Sequence, residues 1–254
     1  MSTALPTRRR IGTLAVSAIT FDQAVALVLA ARDEAARLAI HFCTVHSIVE
    51  SERNAAVRAA YERASVIAPD GMPLVWVLRR RGLPVERVCG PDFMPALLDR
   101  GRALGYRHYL YGGAPGVAEV LRTRMRERYP GVEIVGCDSP PFRALSAVED
   151  RAAVARMNAA RPDCVWVGLG APKQDLWVED HRAALDAPVV LAVGAAFDFH
   201  SGARRRAPRW MQRAGLEWAY RLASEPGRLA ARYTLTNARF LRILARDELL
   251  HHAT

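Results

Sequence analysis

The sequence predicts an α/β fold: a mostly parallel, Rossmann-like sheet with helices on both faces, followed by a C-terminal helical appendage. Three observations predict it. Six apolar runs of strand length recur between Leu38 and Gly194, each followed by a segment of helical period. Such alternation is what β-α-β crossovers produce. Polar and glycine-rich residues collect at the carboxyl ends of those runs, and beyond Gly194 the strand pattern gives way to arginine-rich helical stretches. On this reading residues 1–203 form an α/β catalytic core and residues 204–254 a basic helical appendage.

At the N-terminus, "MSTALPTRRRIGTLAV" places arginines before a short mixed segment without a long apolar stretch, which does not read as a secretion signal. A first helix, "TFDQAVALVLAARDEA", opens with Thr20 and Gln23 at the spacing of a capping box. The strands are "LAIHFCTV", "SVIAPD", "RHYLYGG", "VEIVGC", "DCVWVGLG" and "PVVLAVG", with helical patterns such as "APGVAEVLRTRMRERYP" and "APKQDLWVEDHRAAL" after them. The longest apolar runs, "PVVLAVGAAF" and "MPLVWVL", fall well short of the roughly 18–20 residues of a spanning helix. The expectation is a chain that stays in the cytoplasm. After "AFDFHSGARRRAPRW" come "GLEWAYRLASE" and "RLAARYTLTNARFLRILARDELL", split by Pro226 and Gly227.

Half of the 254 residues are apolar, enough for a sizeable core. Cys43, Cys89, Cys137 and Cys164 form no C-x-x-C pair and sit in apolar surroundings, as buried free thiols do. The seven histidines show no metal-binding spacing, so no metal site is expected. Lys173 is the single lysine beside 35 arginines, a usage that composition alone can produce. The distribution of charge says more: from Arg204 onward eleven arginines face four acidic residues, so +7 of the formal +10 lies in the last fifth of the chain. An anionic partner at that end follows, whether phosphate, membrane surface or nucleic acid. Within the last helical stretch Arg228, Arg232, Arg239, Arg242 and Arg246 fall in an arc of roughly 80°, next to an arc of Leu229, Tyr233, Phe240, Ile243 and Leu244. This describes either the solvated face of a packed helix or a membrane-surface helix.

Ligands of open α/β sheets bind beyond the carboxyl ends of the strands. Thr44 and His46, Asp70, Gly112 and Gly113, the "GLGAPKQ" loop with Gly170, Lys173 and Gln174, and Asp198 all lie there, which predicts one shared cleft. The glycines serve either tight strand-to-helix turns or a diphosphate cradle. Neither "YGGAPG" nor "GLGAPK" is a nucleotide-binding fingerprint. Asp70 serves either as the N-cap of the following helix or as a general base with a raised pKa.

Taken in order, "APDGMPLVW", "ERVCGPDF", "YLYGGAPGVAE", "YPGVEIVG", "RPDCVWVGLGAPKQDLW", "VGAAFDFHSGARRRAPRWMQRAGLEWAYRL" and "EPGRLAARY" resemble the WecG/TagA/CpsF family of bacterial glycosyltransferases. The likeness runs from about Thr44 to Tyr233. The resemblance implies an inverting, metal- and cofactor-independent enzyme. It would move a sugar of the N-acetylmannosamine or uronic acid type from UDP to a polyprenyl-diphosphate-linked saccharide, peripherally on the inner face of the plasma membrane. It further implies Asp70 as the base, and Thr44, Arg87, Gln174 and Asp198 as lining the donor or acceptor pocket. Arg206, Arg221, Arg228 and Arg232 would be the appendage arginines that meet the lipid or nucleotide diphosphate. His46 stands where the family often has Asn, and Asp175 where Glu is more usual. A homo-oligomer is compatible with these features. Two other classes are disfavoured. A nucleotide-cofactor oxidoreductase would want a three-glycine fingerprint followed by an acidic residue, and a nucleic-acid-binding module would want a groove-reading motif; the chain shows neither.

Overall fold

The computed structural model describes residues 4–224 and 226–252, with the side chains of residues 213, 228–232 and 250–252 outside that description. Six strands form one parallel sheet in the order β4-β3-β8-β7-β5-β6: β3 (Leu38–Cys43), β4 (Val66–Pro69), β5 (Arg107–Gly112), β6 (Glu133–Asp138), β7 (Cys164–Gly168) and β8 (Val189–Ala192). All six coincide with the apolar runs of the sequence. β3, β4 and β8 are buried along their whole length, as strands covered on both faces must be.

Alternate residues feed two opposite layers. Ile40, Phe42, Leu110, Trp166 and Leu191 pack with Val25 and Val28 of α1 (Phe21–Ala30), Phe93 and Leu97 of α5 (Gly90–Arg102), Leu121 of α6 (Val117–Arg128) and Phe197 of α9 (Ala196–Ser201). On the other face Tyr109, Tyr111, Val165, Val167 and Val190 meet Met157 of α7 (Ala147–Ala159) and Trp177 and Val178 of α8 (Lys173–His181). The capping box of α1 forms as its sequence predicts: the Thr20 hydroxyl accepts from the Gln23 amide, and Gln23 returns an acceptor to the Thr20 N–H. Cys43, Cys89 and Cys164 are buried free thiols and Cys137 is half-buried.

One element was not anticipated. Residues Arg8–Ile11 (β1) and Leu14–Ser17 (β2) form an antiparallel hairpin whose turn passes through Gly12 at φ +60°. Three consecutive arginines hide the strand period. Ile11, Leu14 and Val16 are nonetheless fully buried, against Ile67, Ile48 of α2 (Val45–Arg53), Tyr61 of α3 (Ala55–Arg63) and Leu74 of α4 (Met72–Arg80). Ser17 Oγ accepts the Ile67 N–H at 3.1 Å, which ties the hairpin to the edge strand β4.

The C-terminal stretches form α10 (Arg209–Arg213), α11 (Glu217–Ser224) and α12 (Pro226–His252), with Pro226 as the first residue of α12. Thr236, Phe240, Ile243 and Asp247 share one face of α12, and that face is buried. Phe240 and Ile243 join the hairpin and α2 in one apolar cluster. Asp247 Oδ2 accepts the Gly12 N–H at 2.7 Å, and Arg246 pairs with Glu52 of α2 at 2.9 Å. Of the predicted arginine stripe, Arg242 is exposed, Arg239 is half-buried, Arg246 is paired to α2, and the side chains of Arg228 and Arg232 lie outside the described residues. Among the described residues no helix is long and apolar enough to cross a membrane.

Candidate active site

β3, β4 and β8 end side by side, and Asp70 follows the end of β4. Its backbone N–H donates to the Cys43 carbonyl at 2.9 Å, extending the β3–β4 pairing by one residue. The N-cap of α4 is Gly71, with no side chain capping the helix, so the capping role considered for Asp70 is not the one it plays. Its carboxylate is about one-fifth exposed.

The segment between α4 and α5 runs back past the end of β4, where the Val88 N–H donates to the Pro69 carbonyl at 2.9 Å. This places Arg87 beside Asp70. Arg87 Nε donates to the Asp70 carbonyl at 3.0 Å and lies 3.9 Å from the carboxylate Oδ1. Arg87 Nη2 donates to Glu217 Oε2 of α11 at 2.8 Å. The other carboxylate oxygen of Glu217 accepts from Arg206 Nε at 3.2 Å. Arg206 also forks onto Asp92, in the first turn of α5, with Nη1 on Oδ1 and Nη2 on Oδ2 at 3.0 Å. Cys89 donates its thiol proton to Asp92 Oδ2 at 2.9 Å. The result is a continuous frame of alternating charge: Asp92, Arg206, Glu217, Arg87, Asp70.

Burial pushes the Asp70 carboxyl up to about 7; Arg87 and Arg206 pull it down, while Glu217 and Asp92 push it up. Burial also works against the Asp92 carboxylate, but hydrogen bonds from Arg206 and Cys89 outweigh it and hold Asp92 below the usual range. Burial, with Asp70 next, keeps the Cys89 thiol protonated well above its ordinary value. Three carboxyl groups around two guanidiniums therefore leave Asp70, whose carboxylate stands 3.9 Å from Arg87 while Glu217 and Asp92 take the guanidinium hydrogen bonds, poised to gain and lose a proton near neutrality.

The remaining predicted residues have other partners, Gly112 and Gly113 at the end of β5 and Arg221 on α11 among them. Thr44 is the N-cap of α2, its hydroxyl accepting from the Ser47 N–H at 3.3 Å, and His46 lies half-buried in the first turn. The capping box at Thr44 was not read from the sequence. Gln174 is buried: its Oε1 accepts from the Gly170 N–H at 3.1 Å and its amide donates to the Ala192 carbonyl at 3.0 Å, joining the ends of β7 and β8. Gly170 sits at φ +80° in open space, and Lys173 is exposed at the start of α8. A Cβ on Gly112 would lie 2.5 Å from the Gly168 carbonyl oxygen, and the Gly113 N–H donates to that oxygen at 2.9 Å. Close strand approach accounts for Gly112, and a φ of +78° with the Val117 side chain 2.6 Å from a Cβ accounts for Gly113. Asp198, on α9, faces Arg204 Nε at 3.3 Å. Arg221 is half-buried on α11, next to the helix turn that carries Glu217.

Asp92 and Glu217 were missed as site residues. Both lie in segments the sequence already singled out, "ERVCGPDF" and "GLEWAYRL", but nothing local to either marks its carboxylate as the partner of a distant arginine. Asp175, where the resemblance leads one to expect Glu, has a structural partner. It is buried and accepts from His41 Nδ1 of β3 at 2.7 Å, and it locks α8 onto the sheet.

The chain matches known proteins over most of its length. The model of the family described as "Glycosyl transferase WecG/TagA/CpsF family" matches residues 9–254. The chain is also 33% identical over 180 residues to an N-acetylglucosaminyldiphosphoundecaprenol N-acetyl-beta-D-mannosaminyltransferase from Bacillus spizizenii, covering 70% of this chain and 68% of that protein. A match of this extent, on a parallel α/β core with a charged frame at its strand ends, shows that the chain belongs to the WecG/TagA/CpsF family and is a glycosyltransferase.

Proposed function

We propose that this glycosyltransferase moves an N-acetylmannosamine-type or uronic acid sugar from UDP to a polyprenyl-diphosphate-linked saccharide, with inversion and without a metal ion, in bacterial cell-surface polysaccharide synthesis. The name of the Bacillus spizizenii relative supports the lipid-linked acceptor and the sugar type. The observation that carries the reaction type is Asp70, a carboxyl near 7 at the end of β4 and beside Arg87. In this reading Asp70 takes the proton of the acceptor hydroxyl as its oxygen attacks the anomeric carbon. The bond from that carbon to the UDP oxygen breaks on the opposite face. The departing diphosphate is balanced by arginines, for which Arg221, Arg228 and Arg232 are the candidates. Arg206 serves instead as a strut, because its guanidinium is already taken by Asp92 and Glu217.

The acceptor is held at a lipid surface, and the enzyme is expected to bind that surface peripherally from the cytoplasmic side. Support comes from the basic C-terminal fifth of the sequence and from Trp76, Trp210, Leu216 and Trp218, all exposed.

The test is a transfer assay with a short-chain polyprenyl-diphosphate sugar and a panel of UDP-sugars, read by product mass. Asp70→Asn is expected to lose about 10² to 10⁴ in kcat while still binding UDP. Wild-type turnover in that variant would remove Asp70 from the mechanism, and absence of product from every donor would remove the substrate assignment.

A further inference from the structure

Glu217 stands 130 residues along the chain from Arg87 and yet closes the frame around Asp70. Its side chain is 15% exposed and its two oxygens are divided, one to each arginine. Without it, Arg87 has a nearer alternative. Nε already lies 3.9 Å from the Asp70 carboxylate, and Nη2, now turned to Glu217, is the second nitrogen that a forked pair with Asp70 would use. A forked guanidinium holds a carboxylate in its ionised form and makes it a poor proton acceptor.

We propose that Glu217 is a positioning residue for sugar transfer: by bridging Arg87 and Arg206 it keeps Arg87 from a forked ion pair with Asp70, and so keeps that carboxylate basic. The proposal rests on the reading of Asp70 as the base. It gives α11 a part in the chemistry, since docking of this helix delivers the negative charge that balances Arg87. Two features support it. Arg206 is locked from the other side by Asp92, so the bridge has a fixed anchor. Arg87 is held at its base by the Asp70 carbonyl, while its Nη1 donates to the Gln212 carbonyl at 3.5 Å and its Nη2 to Glu217, so loss of the Glu217 charge leaves Nη2 to turn to the carboxylate beside it. The charged and titratable groups around Asp70 are Arg87 and Cys89 from the segment before α5, Asp92 from α5, Cys43 from β3, Arg206 from the segment before α10, and Glu217. Of these, Glu217 is the acidic residue with a direct hydrogen bond to Arg87.

Glu217→Gln keeps the shape and one oxygen acceptor but removes the charge. The Asp70 carboxyl is followed by 13C NMR over a pH titration, its resonance identified by its loss in Asp70→Asn, and the transfer reaction is assayed over the same pH range. In Glu217→Gln the Asp70 midpoint is expected to move to lower pH. kcat is expected to fall about tenfold, with the KM for the UDP-sugar within about twofold of wild type. Glu217→Asp, which restores the charge, is expected to return the midpoint toward the wild-type value. A midpoint that does not move, or that rises, overturns the role of Glu217 and leaves Asp70 as the base. A midpoint that falls while kcat and its pH profile stay at wild type removes Asp70 as the base, and with it the part of Glu217 in transfer. A general loss of fold would instead lower the unfolding temperature of both variants alike, with no recovery in Glu217→Asp; that result also overturns the proposal.

Discussion

At the scale of the residue, Asp70 and His108 limit stability from opposite sides of neutral pH. The folded-state pKa of Asp70 is raised to about 7, chiefly by burial, above an unfolded value of about 4. Its contribution is therefore fully present below about pH 4 and is lost as pH rises through about 7. Above that pH the chain carries a poorly solvated carboxylate. Asp70→Asn is expected to be more stable than wild type by about 1–3 kcal/mol at pH 8 in urea unfolding, and no more stable at pH 4. A variant less stable than wild type at pH 8 would contradict the electrostatics assigned here. His108 behaves in the opposite sense: burial lowers its pKa to about 3, and its Nδ1 accepts the Trp166 indole N–H at 3.2 Å, which requires the neutral ring. That contribution is full above about pH 6.5 and is lost as pH falls toward 3. Between pH 7 and 5 it amounts to about 2 kcal/mol, and His108→Gln is expected to flatten the fall in stability over that interval.

At the scale of the element, α12 is held chiefly by the packing of its buried face. Phe240 and Ile243 enter the cluster of Ile11, Leu14 and Ile48, and Phe240 is 5% exposed. Phe240→Ala is expected to cost about 3–4 kcal/mol, measured by denaturant unfolding, whereas Arg242→Ala on the exposed side should change stability by less than about 0.5 kcal/mol. Equal effects from the two would mean that α12 does not dock as described. This docking also marks the boundary of what the sequence could tell. The six sheet strands and the capping box of α1 were legible because each carries its signal within a few residues: an apolar run, or Thr20 and Gln23 three apart. The hairpin was not, because Arg8, Arg9 and Arg10 interrupt its period and its apolar side is matched only by residues distant in the chain: Ile48, Tyr61, Ile67 and Leu74, and Phe240 and Ile243 of α12. The candidate site divides in the same way. Asp70 stands out by its place between "VIAP" and a glycine, while the work of Asp92 and Glu217 exists only once Arg206 and Arg87 arrive from elsewhere in the chain.

At the scale of the whole molecule, three exposed tryptophans lie in the basic C-terminal segment or on the helix it packs against. Gly215, between α10 and α11, faces Met72 and Trp76 of α4. Trp210 and Trp218 stand on the helices to either side of it, and these three tryptophans are 55%, 64% and 47% exposed. Indole rings of this kind favour the headgroup level of a bilayer, and nearby arginines add roughly 1 kcal/mol each toward an anionic surface. A lipid-linked acceptor presented there would meet Asp70, which directly precedes the turn into α4. A triple replacement of Trp76, Trp210 and Trp218 by Ser removes apolar contact without touching the core. It is expected to lower partition onto anionic vesicles by at least about tenfold, with the unfolding temperature nearly unchanged. Raising the salt should weaken the wild-type protein through its charges but leave part of its binding, because the indole contribution is not screened. Turnover on a water-soluble, short-chain acceptor should survive in the triple variant, since that acceptor does not depend on the membrane. Vesicle binding equal to wild type would place the lipid-facing surface elsewhere on the molecule, and loss of soluble turnover would mean that these rings belong to the catalytic site itself.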